Sequence, residues 1–162
     1  MTKNIYILVG PPGVGKSTWV EKEFQGACTI ISSDAIIQAV ADDQGKTYND
    51  VFQKYIKAAD KLMWQEFDSA VSNGCYPIVI DRTNMSVKAR AKIFERLKNF
   101  HKGHGYNIEA VVFALPEKKE WDRRLASRPG KTIPDFVIKN MVASFEMPTV
   151  QEGFNSINPI TN

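Results

Sequence analysis

The stretch GPPGVGKST occupies residues 10–18 and decides the fold, because it satisfies the pattern G-x-x-x-x-G-K-[ST]. The apolar run IYILV (residues 5–9) precedes it, and residues 16–25 that follow are typical of a helix. Glycines at such a strand-to-helix turn let successive backbone N–H groups surround phosphate oxygens, and the helix N-terminus adds partial positive charge. The stretch therefore predicts a phosphate-binding loop in an α/β protein.

The residues of this loop have separate expected roles. We expect the Lys16 ammonium to contact the terminal phosphate oxygens of a nucleotide and the Ser17 hydroxyl to bind Mg²⁺. The apolar Val14 and the nearby Trp19 are expected to pack beneath the loop. We assign the whole stretch to nucleotide binding: Gly10, Pro11, Pro12, Gly13, Val14, Gly15, Lys16, Ser17 and Thr18.

Length and composition predict one domain over residues 1–162. Of the 162 residues, 43% are hydrophobic and 24% are charged, which is typical of a globular domain. The excess of 21 Lys and Arg over 18 Asp and Glu favours an anionic ligand without requiring a nucleic acid. No apolar stretch approaches the ~20 residues that a membrane-spanning helix needs, so we expect a cytoplasmic protein without a membrane partner.

Neither a disulfide nor a metal site is predicted from the cysteines and histidines. Cys28 and Cys75 lie in or beside apolar runs without C-x-x-C spacing, which favours buried free thiols in a reducing compartment. His101 and His104 follow a predicted helix in a polar segment and are expected to be solvated.

Apolar strands alternate with helical segments along the rest of the chain. Further strands are predicted in CTIISSD (28–34), YPIVID (76–81) and IEAVVFAL (108–115), and ADDQGKTYND (41–50) is predicted to be a loop. A long helix follows that loop, with apolar residues every three or four positions: Phe52, Ile56, Ala59, Met63, Phe67 and Ala70. Later helices are predicted within residues 86–100, 117–128 and 134–148. This alternation predicts an α/β fold with a parallel sheet of about four to five strands and helices on both faces.

Two aspartates follow strands at the edge of the sheet where the phosphate loop is expected. Asp34 comes just after the second strand, where it could act as a general base on a hydroxyl or cap the next helix; the spacing leaves both open. Asp81 ends the third strand and is expected to steady Mg²⁺ together with Ser17. Thr83 and Asn84 follow at the same edge, with Ser86 available to cap the next helix.

A basic run near residue 125 is interpreted as a lid. Arg124 and Arg128 are four residues apart and are expected to share a helix face that closes over the donor, and Lys131 follows in the break PGKTIP. A GTP switch is disfavoured because the sequence lacks the guanine-reading motif N-K-x-D. A hydrolytic motor is also disfavoured, because Arg82 follows IVID where such motors have a second carboxylate that polarises water.

These segments together resemble the P-loop polynucleotide 5′-hydroxyl kinases, which include phage polynucleotide kinase and the kinase halves of DNA and RNA end-healing enzymes. The resemblance runs in order through GPPGVGKST, SSD, IVIDRTN, RLASR and IPDFVIKNMVASFEMPTVQEGF. It implies a P-loop kinase fold with an Arg-bearing lid, and ATP with Mg²⁺. It also implies that Lys16, Asp34, Arg124 and Arg128 serve catalysis, with Asp34 as the base, and that residues 146–154 flank the adenine.

One position departs from the family pattern. Phage-type members have an arginine three residues after the catalytic aspartate, and this chain has Ile37. We expect the acceptor to meet other residues instead, and the candidates are Asp34, Arg82, Thr83, Asn84 and Arg90. Because the chain has no D-x-D-G-T motif, a separate phosphatase or ligase is expected to act on the same ends.

Three functions therefore stay open at this stage. The first is ATP-dependent phosphorylation of the 5′-hydroxyl of DNA or RNA. The second is the same chemistry on a metabolite, a sugar nucleotide or a hydroxymethyl base in DNA. The third is a nucleotide-gated binding module that transfers nothing.

Overall fold

A five-stranded parallel sheet forms the centre of the computed structural model, which describes residues 2–100 and 105–161. The strands are β1 (Lys3–Val9), β2 (Thr29–Ile31), β3 (Ile78–Ile80), β4 (Tyr106–Phe113) and β5 (Ser156–Ile160), in the order β2-β3-β1-β4-β5. The six α-helices are α1 (Lys16–Phe24), α2 (Ser33–Asp43), α3 (Tyr48–Ser72), α4 (Val87–Leu97), α5 (Lys118–Ala126) and α6 (Asp135–Ala143). His101 and His104 lie outside the described residues.

Side chains of β1 alternate between two cores, one on each face of the sheet. Ile5, Ile7 and Val9 are fully buried in a core that also holds apolar residues of α3 and α4. Leu8 points to the other face, where it packs with Val14 and with residues of α1 and α5. A parallel sheet covered on both faces explains why its strands are continuous apolar runs, and the predicted α/β class is confirmed.

The strand β5 and the start of α3 differ from the sequence-based prediction. The segment SINPI was left unassigned by the sequence analysis and forms the edge strand β5, where its exposed Pro159 is tolerated. The predicted loop 41–50 shortens to residues 44–47, because Thr47 and Asp50 form a reciprocal capping box that begins α3 at Tyr48.

Arg90 and Asn84, both expected to contact an acceptor, are instead structural. The Arg90 side chain is completely buried and donates hydrogen bonds to Glu152 at 2.8 Å, to the Asn84 carbonyl at 2.9 Å and to the Glu146 carbonyl at 2.9 Å. The Asn84 amide is also buried and donates to the Leu8 carbonyl at 2.8 Å. Since every such bond ends on the protein itself, these two predictions are corrected.

Cys28 and Cys75 are free and half-buried. Among the described residues, no helix has the length and apolar character needed to cross a membrane.

We expect Glu152→Gln to lower the free energy of unfolding by about 3 kcal/mol, because it leaves the buried Arg90 guanidinium without a counter-charge. Urea denaturation followed by circular dichroism measures this change. Glu95→Gln is the matched control: it removes an exposed ion pair with Lys98 at 3.2 Å, and the expected effect is below about 0.5 kcal/mol. Equal unfolding curves for the two variants would show that the buried pair does not anchor the fold.

Candidate active site

The loop between β1 and α1 has the backbone that a phosphate group requires. Gly13 and Gly15 take positive φ values of 80° and 99°, which L side chains rarely adopt. A Cβ at Gly13 would lie 3.1 Å from Leu125 and 3.2 Å from Trp121, so this close approach needs glycine. No side chain among the described residues caps the N-terminus of α1, so the first amides of the helix suit an anion.

Lys16 lies folded over this loop, where its Nζ donates a hydrogen bond to the Gly10 carbonyl at 2.8 Å. Burial lowers its pKa to about 8, although the nearby carboxylates of Asp81 and Asp34 oppose that change. The charges of Arg128 and Lys131 also act on Lys16 and lower its pKa further. Three cations therefore lie near two carboxylates, an arrangement that favours a polyanionic ligand.

Asp81 follows β3 at the same edge, and its backbone N–H donates to the Ile31 carbonyl at 2.9 Å. Burial raises the pKa of its carboxyl group, while Lys16 opposes that rise. The hydroxyl of Ser17 and this carboxylate are hard oxygen donors of the kind Mg²⁺ prefers. Within the described residues, no cluster of three or more His, Cys, Asp or Glu side chains could hold a metal ion.

The structure separates the two roles that the sequence left open for Asp34. Ser32 caps α2, because its Oγ accepts a hydrogen bond from the Ala35 N–H at 3.1 Å. The Asp34 carboxylate, 57% exposed, instead accepts from Tyr48 Oη at 2.6 Å and from Lys131 Nζ at 2.9 Å. Partial desolvation opposes its ionisation, but the Tyr48 hydrogen bond and the Lys131 charge outweigh this effect and lower the pKa of Asp34. The carboxylate is thus held ionised.

Tyr48 was missed by sequence reasoning, and Lys131 was noted only as part of a basic run. Lys131 Nζ also lies 4.2 Å from the centre of the Tyr48 ring, which gives a cation–π contact in addition to the Asp34 ion pair. Tyr48 is 14 residues from Asp34 and Lys131 is 97 residues from it. No local pattern could have joined them, because folding alone brings α2, α3 and the segment after α5 together.

The helix α5 is attached to the phosphate loop. Trp121 Nε1 donates to the Pro12 carbonyl at 2.8 Å, and Arg124 donates to the Gly13 carbonyl at 3.4 Å and to Glu120 at 2.9 Å. The expectation that Arg124 and Arg128 share a helix face is corrected, because α5 ends at Ala126. Arg128 lies in the segment after the helix, close enough to act electrostatically on Lys16.

The segment from residue 127 to 134, which we call the lid loop, contacts the start of α3. The Gly130 carbonyl accepts from the Asn49 N–H at 3.0 Å, and Asn49 Oδ1 accepts from the Thr132 N–H at 3.3 Å. A Cβ at Gly130, where φ is +67°, would come within 2.5 Å of the Thr47 Cβ. Glycine is therefore required for this close approach.

A cleft of about 630 Å³, which we call the acceptor cleft, opens beside the phosphate loop. Its polar end contains Asp34, Asp81, Arg82, Thr83 and Lys131. Its other wall is apolar and aromatic, and this wall includes Tyr48, Phe52, Ile56, Phe136, Val137 and Met141. Of the five residues expected to meet an acceptor, the structure brings Asp34, Arg82 and Thr83 together here.

The structure also places two segments that the resemblance singled out. Ile37 is fully buried in the core between α2 and α3, so its position does not line the acceptor cleft. Residues 146–154 pack against α4: Glu146 accepts from the Val87 N–H at 3.2 Å, and the rings of Phe154 and Phe94 lie 5.0 Å apart. The side chains of Trp121 and Arg124, which contact the phosphate loop, come from α5, and the contact of residues 146–154 with the adenine stays a prediction.

Comparison with known proteins agrees with this fold. Residues 5–148 match the family model AAA_33, described as an AAA domain. The bifunctional polynucleotide phosphatase/kinase of Schizosaccharomyces pombe is 26% identical over 163 residues, which cover 98% of this chain and 33% of that protein. The chain thus spans about a third of the length of this curated relative.

Solved structures share the fold at low sequence identity. A putative kinase from Chloroflexus aurantiacus has a TM-score of 0.69 at 17% identity, over 99% of this chain and 89% of that one. A structure from the PezAT toxin–antitoxin system of Streptococcus pneumoniae has a TM-score of 0.62 at 21% identity, over 99% of this chain and 69% of that one. A sugar kinase from Janibacter sp. HTCC2649 has a TM-score of 0.56 at 15% identity, over 98% of this chain and 85% of that one. The chain is a kinase-like P-loop domain.

We expect Gly13→Ala to weaken binding of a non-hydrolysable ATP analogue about tenfold, because a methyl group at positive φ would press on Trp121 and Leu125. Isothermal titration calorimetry measures the Kd. Gly26→Ala is the matched control: its φ is +84°, and a Cβ there meets nothing within 4 Å. It carries similar backbone strain without touching the loop, so its Kd should equal that of the wild type. An unchanged Kd for Gly13→Ala would contradict the assignment of the loop.

Proposed function

This chain belongs to the AAA_33 family, and we propose that it is an ATP-dependent kinase for the 5′-hydroxyl end of DNA or RNA. One observation carries the proposal: an ionised carboxylate, Asp34, lies at the polar end of the acceptor cleft, beside the phosphate loop. Tyr48 and Lys131 hold that carboxylate in place. A cleft with a carboxylate near a phosphate-binding loop suits a hydroxyl acceptor next to a nucleotide donor.

The proposed reaction moves one phosphoryl group and one proton. The acceptor oxygen forms a bond to the γ-phosphorus of ATP as the bond to the β,γ-bridging oxygen breaks, and ADP leaves. The hydroxyl proton passes to a carboxylate oxygen of Asp34, which acts as general base. Lys16, Arg124 and Arg128 would balance the charge on the phosphate oxygens.

Mg²⁺ would be held by Ser17 and Asp81, and when bound it would neutralise negative charge on the phosphates of the donor. Lys16 would contact the terminal phosphate oxygens of the donor. The protein's own contribution is to orient donor and acceptor and to keep Asp34 ionised.

The wall of the acceptor cleft favours an acceptor that carries an aromatic ring. Phe136 is 67% exposed, which is unusual for a large apolar side chain, and Phe52 and Tyr48 lie on the same cleft with their rings 5.5 Å apart. The polar groups of this cleft are confined to one end, whereas a sugar pocket would also need convergent polar groups where this cleft has its apolar wall. A nucleoside at the end of a strand offers both the hydroxyl and a base that can pack there.

We expect Asp34→Asn to reduce phosphoryl transfer about 10²- to 10⁴-fold, because the amide cannot accept the proton. The assay is transfer of label from γ-labelled ATP to a panel of acceptors: 5′-hydroxyl DNA and RNA, nucleosides, sugars and DNA with hydroxymethyl bases. Asp42→Asn is the matched control on the same helix, where Asp42 accepts from Gln38 at 2.9 Å, and it should stay active. Labelling of sugars but not of 5′-hydroxyl ends would overturn the proposed acceptor.

We expect Tyr48→Phe to move the acid limb of the kcat/KM profile to higher pH. The Tyr48 hydrogen bond helps hold the pKa of Asp34 below its ordinary value, so its loss raises that pKa and protonates the base at a higher pH. Rates measured from about pH 3 to 8 show the shift. Tyr55→Phe is the control, because the Tyr55 hydroxyl bonds Gln44 at 2.9 Å. If the acid limb stays unchanged in Tyr48→Phe, the base is not Asp34.

A further inference from the structure

A second concave surface lies between α3 and α4. This groove, which we call the α3–α4 groove, has a volume of about 510 Å³, and its lining includes Trp64, Lys88, Lys92, Glu95 and Arg96. Three of these side chains are cationic, one is a carboxylate, and one is a large aromatic ring. Nothing in the chemistry assigned to Asp34 and the phosphate loop uses any of them.

The α3–α4 groove is joined to the acceptor cleft by one side chain. Arg82 lines the acceptor cleft, and its guanidinium lies 5.6 Å from the centre of the Trp64 ring. The guanidinium of Arg96 lies 5.1 Å from the same ring. Two guanidinium groups are therefore held on one indole, the first at the cleft and the second in the groove.

These cations are arranged in advance of any ligand. Arg96 donates from Nε and Nη2 to Asp68, both at 2.8 Å, and its side chain remains 35% exposed. A guanidinium has further N–H donors beyond the two in this pair, so it can also bind a phosphate. Because Trp64 and Asp68 already fix Arg96, little side-chain entropy is lost when a ligand binds.

The cations of α4 form a regular row. Lys88, Lys92 and Arg96 are four residues apart in succession, so they share one face of the helix at about 6 Å per step. Lys88 and Lys92 are exposed. A row of cations beside an aromatic ring suits a single nucleic-acid strand, whose phosphates need charges at intervals and whose bases stack on aromatic faces.

We propose that the α3–α4 groove binds the acceptor strand beyond its terminal nucleotide, so that this domain acts on a polynucleotide rather than on a free nucleoside. The inference rests on the proposed function, because the strand is placed by its 5′-hydroxyl at Asp34. From there the first phosphate meets Arg82, and the following phosphates meet the cations of α4.

The test uses the double variant Lys88→Glu with Lys92→Glu, which leaves the acceptor cleft untouched. The control double variant, Lys22→Glu with Lys119→Glu, makes the same charge change at exposed positions on α1 and α5, the helices of the opposite face. The acceptors are a 5′-hydroxyl dinucleotide and a 5′-hydroxyl single strand of about 12 nucleotides. Binding of the longer strand without its terminal hydroxyl is measured separately by fluorescence anisotropy at several salt concentrations.

We expect the groove variant to raise the KM of the longer strand about tenfold and to flatten the salt dependence of binding by about two units of log–log slope. Its kcat and its KM for the dinucleotide should match those of the wild type. The control variant should leave all of these values unchanged.

Failure of the groove inference and failure of the kinase proposal give different experimental results. If the wild type labels both acceptors with equal KM and the two double variants behave alike, the groove inference is overturned and the kinase proposal stands. If the wild type labels neither acceptor, the kinase proposal fails. The anisotropy measurement then still decides the groove, because equal strand binding by both variants would overturn it.

Discussion

The parallel pairing of β2, β3 and β1 is the constraint on which the rest of the structure depends. Ile31, Ile80 and Ile7 lie side by side in register. The strands β2 and β3 end at that row and β1 ends two residues later at Val9, so all three segments leave the sheet at the same edge. Neighbouring strands are only about 4.8 Å apart, so whatever follows them is brought within electrostatic range. This register is why Asp34 and Asp81 act on the ammonium of Lys16 although each comes from a different strand–helix unit.

The ionisable groups at this edge have pKa values that are shifted both by burial and by one another. The resulting pattern of charges suits phosphoryl transfer. Burial alone would favour neutral forms of Asp34, Asp81 and Lys16, and it does raise the pKa of Asp81 and lower that of Lys16. Asp34 is the exception, because Tyr48 and Lys131 bind both of its oxygens and lower its pKa. The result is a carboxylate that keeps its charge beside a site built for anions.

The sequence was most informative where chemistry is local. The phosphate loop, the flanking strand and helix, and the Ser86 cap of α4, whose Oγ accepts from the Ala89 N–H at 3.1 Å, each follow from a few adjacent residues. The burial of Arg90 could not be predicted, because its partners lie up to 62 residues away and an arginine in an amphipathic helix is ordinarily solvated. The contact of Tyr48 with Asp34 was hidden for the same reason, since the partners of Tyr48 come from α2 and the lid loop.

The contact between the lid loop and α3 connects the segment beside the phosphate loop with the wall of the acceptor cleft. Gly130 and Thr132 are hydrogen-bonded to Asn49, next to Tyr48, at the first turn of a helix of 25 residues that extends for about 38 Å. Movement of the lid loop would therefore also displace Tyr48 and the part of the cleft wall that the start of α3 forms. If the lid loop closes over the donor as the proposed function requires, donor and acceptor binding are thermodynamically linked, and each substrate changes the affinity for the other by the same factor.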